Sequence, residues 1–229
     1  MNTHPVILIV GASRGLGLAL AEEYLIRGWR VIATTRNTSE GLNKLRSRFG
    51  SSLEIEKVDI VDLDSVKALR HRHQERKLDV LFVNAGICKA NELTPVHVAE
   101  KDYLDMLLTN ALSPMRLIEL FHENVKASGV IAAMSSELGS ISQSTGFWEL
   151  YSSSKAALNM LMKSFHARHA NDSRALLLIA PGWVRTDMGT SDASLEISES
   201  IPLVVDVVER NAFTPGLRFT DRNGTELPW

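Results

Sequence analysis

Six short apolar runs, separated by segments of helical pattern, set the tightest limit on how this chain can fold. They are Val6 to Val10 (VILIV), Val31 to Thr35 (VIATT), Leu53 to Ile60 (LEIEKVDI), a run from Val80 (VLFVNAG), one from Gly129 (GVIAAMSS) and one from Ala175 (ALLLIAPG). Most are continuously apolar rather than alternating, as strands covered on both faces are. Between them apolar residues recur with helical period: Leu16, Leu20, Tyr24 and Ile26; more weakly Val66, Leu69 and His73; then Leu104, Leu107, Leu108, Ala111, Met115 and Ile118. Each parallel crossover needs a covering helix, so this order predicts an α/β fold, a doubly wound parallel sheet with helices on both faces. At 229 residues the chain is expected to form one domain, 1–229. Small polar residues, Pro202 and Gly216 interrupt the pattern at 187–215, which reads as a mobile loop over the substrate with a short helix near Pro202 to Arg210.

Charge and cysteine content narrow the function classes. The formal net charge is −2 and the Lys and Arg residues are scattered, so no basic field awaits nucleic acid. Cys88 is the only cysteine, which excludes an intrachain disulfide and a multi-cysteine zinc site. The run at Val6 has no charged lead-in and is far shorter than a membrane span. A cytoplasmic protein with no membrane partner is expected.

The turn after the first strand reads GASRGLG, Gly11 to Gly17, and opens the first helix, which is expected to run to about Arg27. Glycines there let backbone approach a pyrophosphate, and the helix N-terminus offers free N–H groups, as in a Rossmann-type dinucleotide fold. Roughly 20 residues further on, where a fold that prefers NAD carries an acid for the ribose, the second strand ends at Arg36. Arg36 and Arg14 could converge on a 2′-phosphate, which predicts NADP(H) over NAD(H). The alternative is two solvated surface arginines.

Tyr151 and Lys155 sit one helical turn apart, and Leu158 and Met162 continue their stripe, with Leu161 and Phe165 beside it. The two polar groups therefore fall on the face a helix would bury. A buried lysine is costly unless paired; read alone, Lys155 would snorkel from the edge of the stripe.

Taken together, the motifs resemble the short-chain dehydrogenase/reductase family over nearly the whole chain. They are GASRGLG, Asp59 after the third strand, Asn84 to Gly86 (NAG) after the fourth, Asn110 in the long helix, Ser136 after the fifth strand, Tyr151 with Lys155, and Pro181 with Gly182 after the sixth. APGWVRTDMG and NGTELPW look like the C-factor-like proteins and small carbonyl reductases within it. The resemblance implies that Gly11, Ser13, Arg14, Gly15, Leu16 and Gly17 hold the coenzyme with Arg36, that Asp59 and Ile60 meet the adenine, and that Asn84, Ala85 and Gly86 lie alongside. Pro181, Gly182, Val184 and Thr186 would hold its nicotinamide end, Thr186 bonding the carboxamide.

It further implies that Tyr151 protonates the substrate oxygen, Ser136 holds that oxygen, Lys155 binds the nicotinamide ribose, and Asn110 supports a water that relays protons to Lys155. A lysine one turn from a tyrosine is expected to favour the phenolate and lower its pKa. Read alone, Asn110 would be a helix-distorting polar residue and Ser136 a strand-end cap. Ser135 is the competitor of Ser136; SELG from Ser136 resembles the family's serine with a glycine three positions on. Val83 departs from the asparagine many members carry before NAG, which removes one strand-end hydrogen bond. Phe147, Trp148 and Trp183 are read either as walls of an apolar substrate pocket or as packing and subunit contacts.

His71 and His73, two positions apart, would face apart on a helix, His166 with His169 lacks a further ligand nearby in sequence, and Cys88 reads as an inert small residue; no metal is expected. The expected activity is NADPH-dependent reduction of an aldehyde, ketone or quinone-like carbonyl, with a regulatory NADP-binding protein as the alternative. The resemblance implies a homodimer or homotetramer, or a monomer as in some carbonyl reductases; a dimer would form through the helices of Asn110 and Tyr151.

Overall fold

A computed structural model describes residues 4–229. Seven parallel strands form one sheet in the order β3-β2-β1-β4-β5-β6-β7: β1 Val6–Val10, β2 Arg30–Thr35, β3 Leu53–Lys57, β4 Leu78–Val83, β5 Val125–Met134, β6 Ala175–Ala180 and β7 Gly216–Asp221. The helices are α1 Gly15–Ile26, α2 Glu40–Phe49, α3 Leu63–Arg72, α4 Glu100–Leu107, α5 Ser113–Phe121, α6 Glu149–Arg168 and α7 Ile197–Arg210.

The continuity of the apolar runs follows from the two faces. In β1, Ile7 and Ile9 join a core with Leu20, Tyr24, Leu42 and Val204 from α1, α2 and α7. Leu8 and Val10 face the other way, onto Val66, Ile118, Leu158 and Phe165 from α3, α5 and α6. Successive strand residues point to opposite faces, so a sheet covered on both sides needs apolar residues at every position. Arg27 draws α1 to α7 through ion pairs with Asp206 at 2.7 Å and Glu209 at 2.9 Å.

Several expectations are corrected. The segment at 187–215 is mostly ordered by bonding: Val184 bridges Leu195, and α7 starts at Ile197, five residues before Pro202. A reciprocal cap between Glu196 and Glu199 starts that helix, and its valine face is buried, so the proline costs one hydrogen bond without ending it. The third strand stops at Lys57, because Val58 to Ile60 turn toward the next helix. Ile26, Leu104 and Leu161 face outward; Leu25 takes the core position at the end of α1. Between α4 and α5 the long helix passes through a π-helical turn, Leu108–Leu112, centred on Asn110. Among the described residues no helix is long and apolar enough to cross a membrane.

Candidate active site

The chain runs from β1 outward to β3, then crosses back to place β4 on the other side of β1. The loops that leave β1 and β4 diverge at this reversal, and a crevice opens at their carboxyl ends. Gly11, with φ of +88°, turns the chain there, and a Cβ on it would lie 2.7 Å from the Ala85 Cα. A Cβ on Gly17 would lie 2.0 Å from the Gly11 carbonyl oxygen, so neither position admits a side chain. The Asn84 amide donates to that same oxygen at 2.8 Å and ties the β4 loop to the glycine turn. No side chain caps α1, which leaves its first N–H groups facing the crevice.

The crevice is a cavity of about 460 Å³. One end is lined by Ser13, Arg14, Gly15, Leu16, Arg36, Asp59 and Ile60; Asn84, Ala85 and Gly86 form its floor; Pro181, Gly182, Val184 and Thr186 form the far wall; Ser136, Tyr151 and Lys155 lie at the other end with Phe147, Trp148 and Trp183. Two expected residues stand behind it. Gly17 backs onto Gly11, and Asn110 is fully buried, its Oδ1 accepting from the Ile87 N–H and its Nδ2 donating to the Ile87 carbonyl, both at 2.8 Å. Asn110 Nδ2 also donates to Ser154 Oγ at 3.0 Å. The π-helical turn is the local consequence of aiming this side chain at the β4 loop.

Tyr151 and Lys155 both lie on the buried face of α6. Lys155 is 3% exposed and donates from Nζ to the Met134 carbonyl at 2.9 Å. Burial pushes its pKa down to about 8. Burial also raises Tyr151 well above the usual tyrosine value; charge on Cys88 adds to this and the Ser136 hydroxyl offsets part of it. The expected lowering by Lys155 is therefore corrected: burial dominates and the shift runs upward, with the Ser136 hydroxyl as the group that lowers it. The two serines part company. Both line the cavity; Ser135 is buried and donates to Asn159 Oδ1 at 2.7 Å, whereas Ser136 is half-buried and its Oγ accepts from the Leu138 N–H at 3.2 Å, capping a short turn.

The aromatic residues gather at the mouth. Phe147 stacks on Trp148 at 5.0 Å, and Trp148 stands edge-on to Tyr151 at 6.1 Å and to Trp183 at 6.4 Å. Trp148 takes a left-handed φ of +46° as it starts α6, an uncommon conformation for a bulky residue. Sequence reasoning missed Ile87, Leu138, Met188 and Asp187 as lining residues. Their places depend on loops that leave no periodic signal.

Cys88 is half-buried beside this group, and burial pushes its thiol up to about 11. His73 proves to be buried, with Nε2 3.0 Å from Glu56 and 3.8 Å from Glu54. Arg72 and Arg76 pair with the same two carboxylates, so this trio is a charge-compensated strut. His169 stacks on Phe165.

Residues 5–196 match the family model described as short chain dehydrogenase. A Burkholderia multivorans protein assigned to the short-chain dehydrogenase/reductases, solved with bound NADP, is 45% identical, with a TM-score of 0.97 over 99% of this chain and 100% of that one. A carbonyl reductase from Pseudomonas aeruginosa PAO1 in complex with NADP is 37% identical, with a TM-score of 0.93 over 99% and 100%. The C-signal of Myxococcus xanthus is 33% identical over 162 residues, 66% of this chain and 93% of its own length. With its glycine turn, switch-point crevice and buried tyrosine and lysine, the chain belongs to the short-chain dehydrogenase family of oxidoreductases.

Proposed function

We propose that the protein is a cytoplasmic NADPH-dependent carbonyl reductase that reduces an aldehyde, ketone or quinone-like carbonyl to the alcohol. One observation carries this reading: a single cavity joins the basic residue Arg36 at one end to the buried Tyr151 and Lys155 at the other. The residues fit the coenzyme, since a Cβ at Gly11 or Gly17 would collide with the Ala85 backbone or the Gly11 carbonyl and push the glycine turn out of its close approach to the crevice, and the uncapped α1 N-terminus supplies donors. Gly11 to Gly17, Asn84 to Gly86 and Pro181 to Thr186 would hold it, with Arg36 at the ribose phosphate.

When bound, NADPH supplies a hydride to the carbonyl carbon. Ser136 donates a hydrogen bond to the carbonyl oxygen and fixes its position. Tyr151 delivers the proton that completes the alcohol. As the phenolate forms, the Lys155 cation stabilises it, and with the coenzyme bound Lys155 would also hold the ribose hydroxyls. Phe147, Trp148 and Trp183 form the apolar wall against which the substrate lies.

The similarity to C-signal supports a second reading, an NADP-binding regulatory protein with little turnover. NADPH consumption across aldehydes, ketones and quinones, in wild type and Tyr151→Phe, separates the two. Turnover that collapses in the variant while NADPH binding persists supports the reductase; tight binding without turnover on any carbonyl supports the regulatory reading. A homodimer through the helices of Asn110 and Tyr151 is a further proposal, and a monomeric mass by light scattering would reject it.

A further inference from the structure

Phe147 and Trp183 are 47% and 40% exposed at the cavity mouth, although clustered aromatic rings are surface that a fold normally covers. The backbone beneath them is fixed. Ser152, in the first turn of α6, donates from its N–H to the Trp148 carbonyl at 2.8 Å and from its Oγ to the Phe147 carbonyl at 2.9 Å. Trp148 keeps a left-handed backbone there, a strain that persists only where the surroundings over-determine it. Across from this stacked pair, Trp183 stands at 67° to Phe147 and 83° to Trp148, with ring centres 6.2 and 6.4 Å away. Ring planes that meet near a right angle form a corner, and the ring faces that line it carry the negative side of the quadrupole.

The charges of the cavity lining point the same way. Asp59 and Arg36 lie at the adenosine end, Arg14 and Asp187 pair with each other, and Lys155 is buried against the Met134 carbonyl. Glu137 is the lining carboxylate that remains. It is exposed, opens the short turn Glu137–Gly139 directly after Ser136, and makes no ion pair or side-chain hydrogen bond among the described residues. That turn is pinned to α6: Asn159 Nδ2 donates to the Gly139 carbonyl at 3.2 Å, and a Cβ on Gly139 would lie 3.2 Å from Lys155 Cβ. On the Trp183 side, Arg185 is engaged by Glu196 and the Ala193 carbonyl, and Arg222 borders Gly182 without lining the cavity. The substrate end therefore combines an aromatic corner with an unpaired carboxylate and offers no free cation besides Lys155.

We propose that the substrate is a carbonyl compound bearing an ammonium group, whose cation sits in the corner of Phe147, Trp148 and Trp183, in the field of Glu137, while its carbonyl meets Tyr151. The inference rests on the reductase reading above and names the substrate class of that site. The ammonium takes no part in the bond changes. The Trp148 and Tyr151 ring centres are 6.1 Å apart, so a spacer of one aromatic ring places the two groups. A neutral compound of the same shape fills the corner but forgoes the attraction of the ring faces and of the carboxylate.

Kinetics of the NADPH-loaded full chain test this on three aldehydes: para-(trimethylammoniomethyl)benzaldehyde, its uncharged isostere para-neopentylbenzaldehyde, and the anionic para-(carboxymethyl)benzaldehyde. The cation is expected to exceed the isostere in kcat/KM by about tenfold or more, through KM, and the anion to be the poorest. Glu137→Gln and Trp183→Leu are each expected to lower the cation-to-isostere ratio by about threefold or more. Both aldehydes are measured on one variant, so the ratio is blind to lost folding and to the aldehydes' own reactivity. Glu137→Lys is expected to favour the anion over the cation. An isostere whose KM is equal to or below that of the cation overturns the inference and leaves the reductase reading standing, as does a ratio that neither variant moves. Absence of turnover of all three overturns the reductase reading. The ammonium site is then decided by benzyltrimethylammonium, which is expected to quench tryptophan fluorescence saturably and more weakly in Glu137→Gln; quenching that does not saturate, or that the variant leaves unchanged, overturns it too.

Discussion

Lys155 donates to the Met134 carbonyl at 2.9 Å while its Nζ stands 5.7 Å from the centre of the Tyr151 ring. The same β5 carbonyl that fixes the lysine thereby aims its charge at the proton donor. Burial lowers this lysine to about 8. Above that pH the cation that stabilises the forming phenolate is lost, so kcat/KM for carbonyl reduction is expected to fall through an apparent pKa near 8. A pH–rate profile flat to pH 9 would contradict this.

The same burial predicts a stability effect. Between about 8 and the unfolded value of about 10.4, the unfolded chain binds more protons than the folded one. Stability contributed by this group therefore rises with pH across that window, and below it the fold carries the full cost of a buried cation. Lys155→Met removes that cost. Its effect on unfolding free energy is expected to be more favourable at about pH 7 than at about pH 10 by roughly 2 kcal/mol, with activity lost at both. Denaturant titrations at the two pH values check the sign; an equal effect at both would refute it.

The two adjacent serines are predicted to fail in different ways. Ser135→Ala strands the buried Asn159 Oδ1 and is expected to cost about 1–3 kcal/mol of stability with a small change in kcat. Ser136→Ala removes one cap, to the Leu138 N–H, and is expected to cost about 1 kcal/mol or less of stability and lower kcat by about 100-fold or more. The opposite pairing of effects would exchange their roles.

Trp148 starts α6 in a left-handed conformation that costs a non-glycine residue about 1–2 kcal/mol. Trp148→Gly relieves it and Trp148→Ala does not, so the glycine variant is expected to be the more stable by about 1 kcal/mol. Both lose the ring beside Tyr151 and are expected to lose selectivity among carbonyl substrates. If selectivity survives in both while stability drops, the ring is packing and not a pocket wall.

What the sequence shows and hides follows the same physics as these predictions. Strands β1, β2, β4, β6 and the second half of β5 are legible because burial on both faces demands unbroken apolar runs, whereas the edge strand β3, LEIEK, buries only Leu53 and is read from its alternation. The edge strand β7, GLRFTD, buries only Phe219 and Thr220 and leaves no such run. Helix α2, EGLNKLRSRF, buries only Leu42 and Leu45 and reads as a charged connection. The start of α7 is hidden by Pro202, because a reciprocal glutamate cap and a packed valine face override the local breaker. At the site, Tyr151 and Lys155 are legible from spacing, but the ion pair of Arg14 with Asp187 joins residues 173 apart, beyond the reach of any local pattern.

Gly86 lines the cavity where a Cβ would lie 3.4 Å from Asn110 Oδ1 and 3.5 Å from Lys155 Nζ. Those are ordinary contact distances, so Gly86→Ala is expected to fold with its thermal midpoint nearly unchanged while filling the space that both polar atoms border. If protons reach Lys155 through that space, kcat at saturating NADPH is expected to fall by about tenfold or more, apart from any change in NADPH affinity. Asn110→Ala acts differently: it removes two bonds to the Ile87 backbone and one to Ser154, and is expected to cost about 1–3 kcal/mol as well as activity. Single-turnover rates and denaturant midpoints of the two variants separate a relay from a strut. A Gly86→Ala enzyme with full kcat would leave Asn110 only the task of holding the β4 loop to its helix.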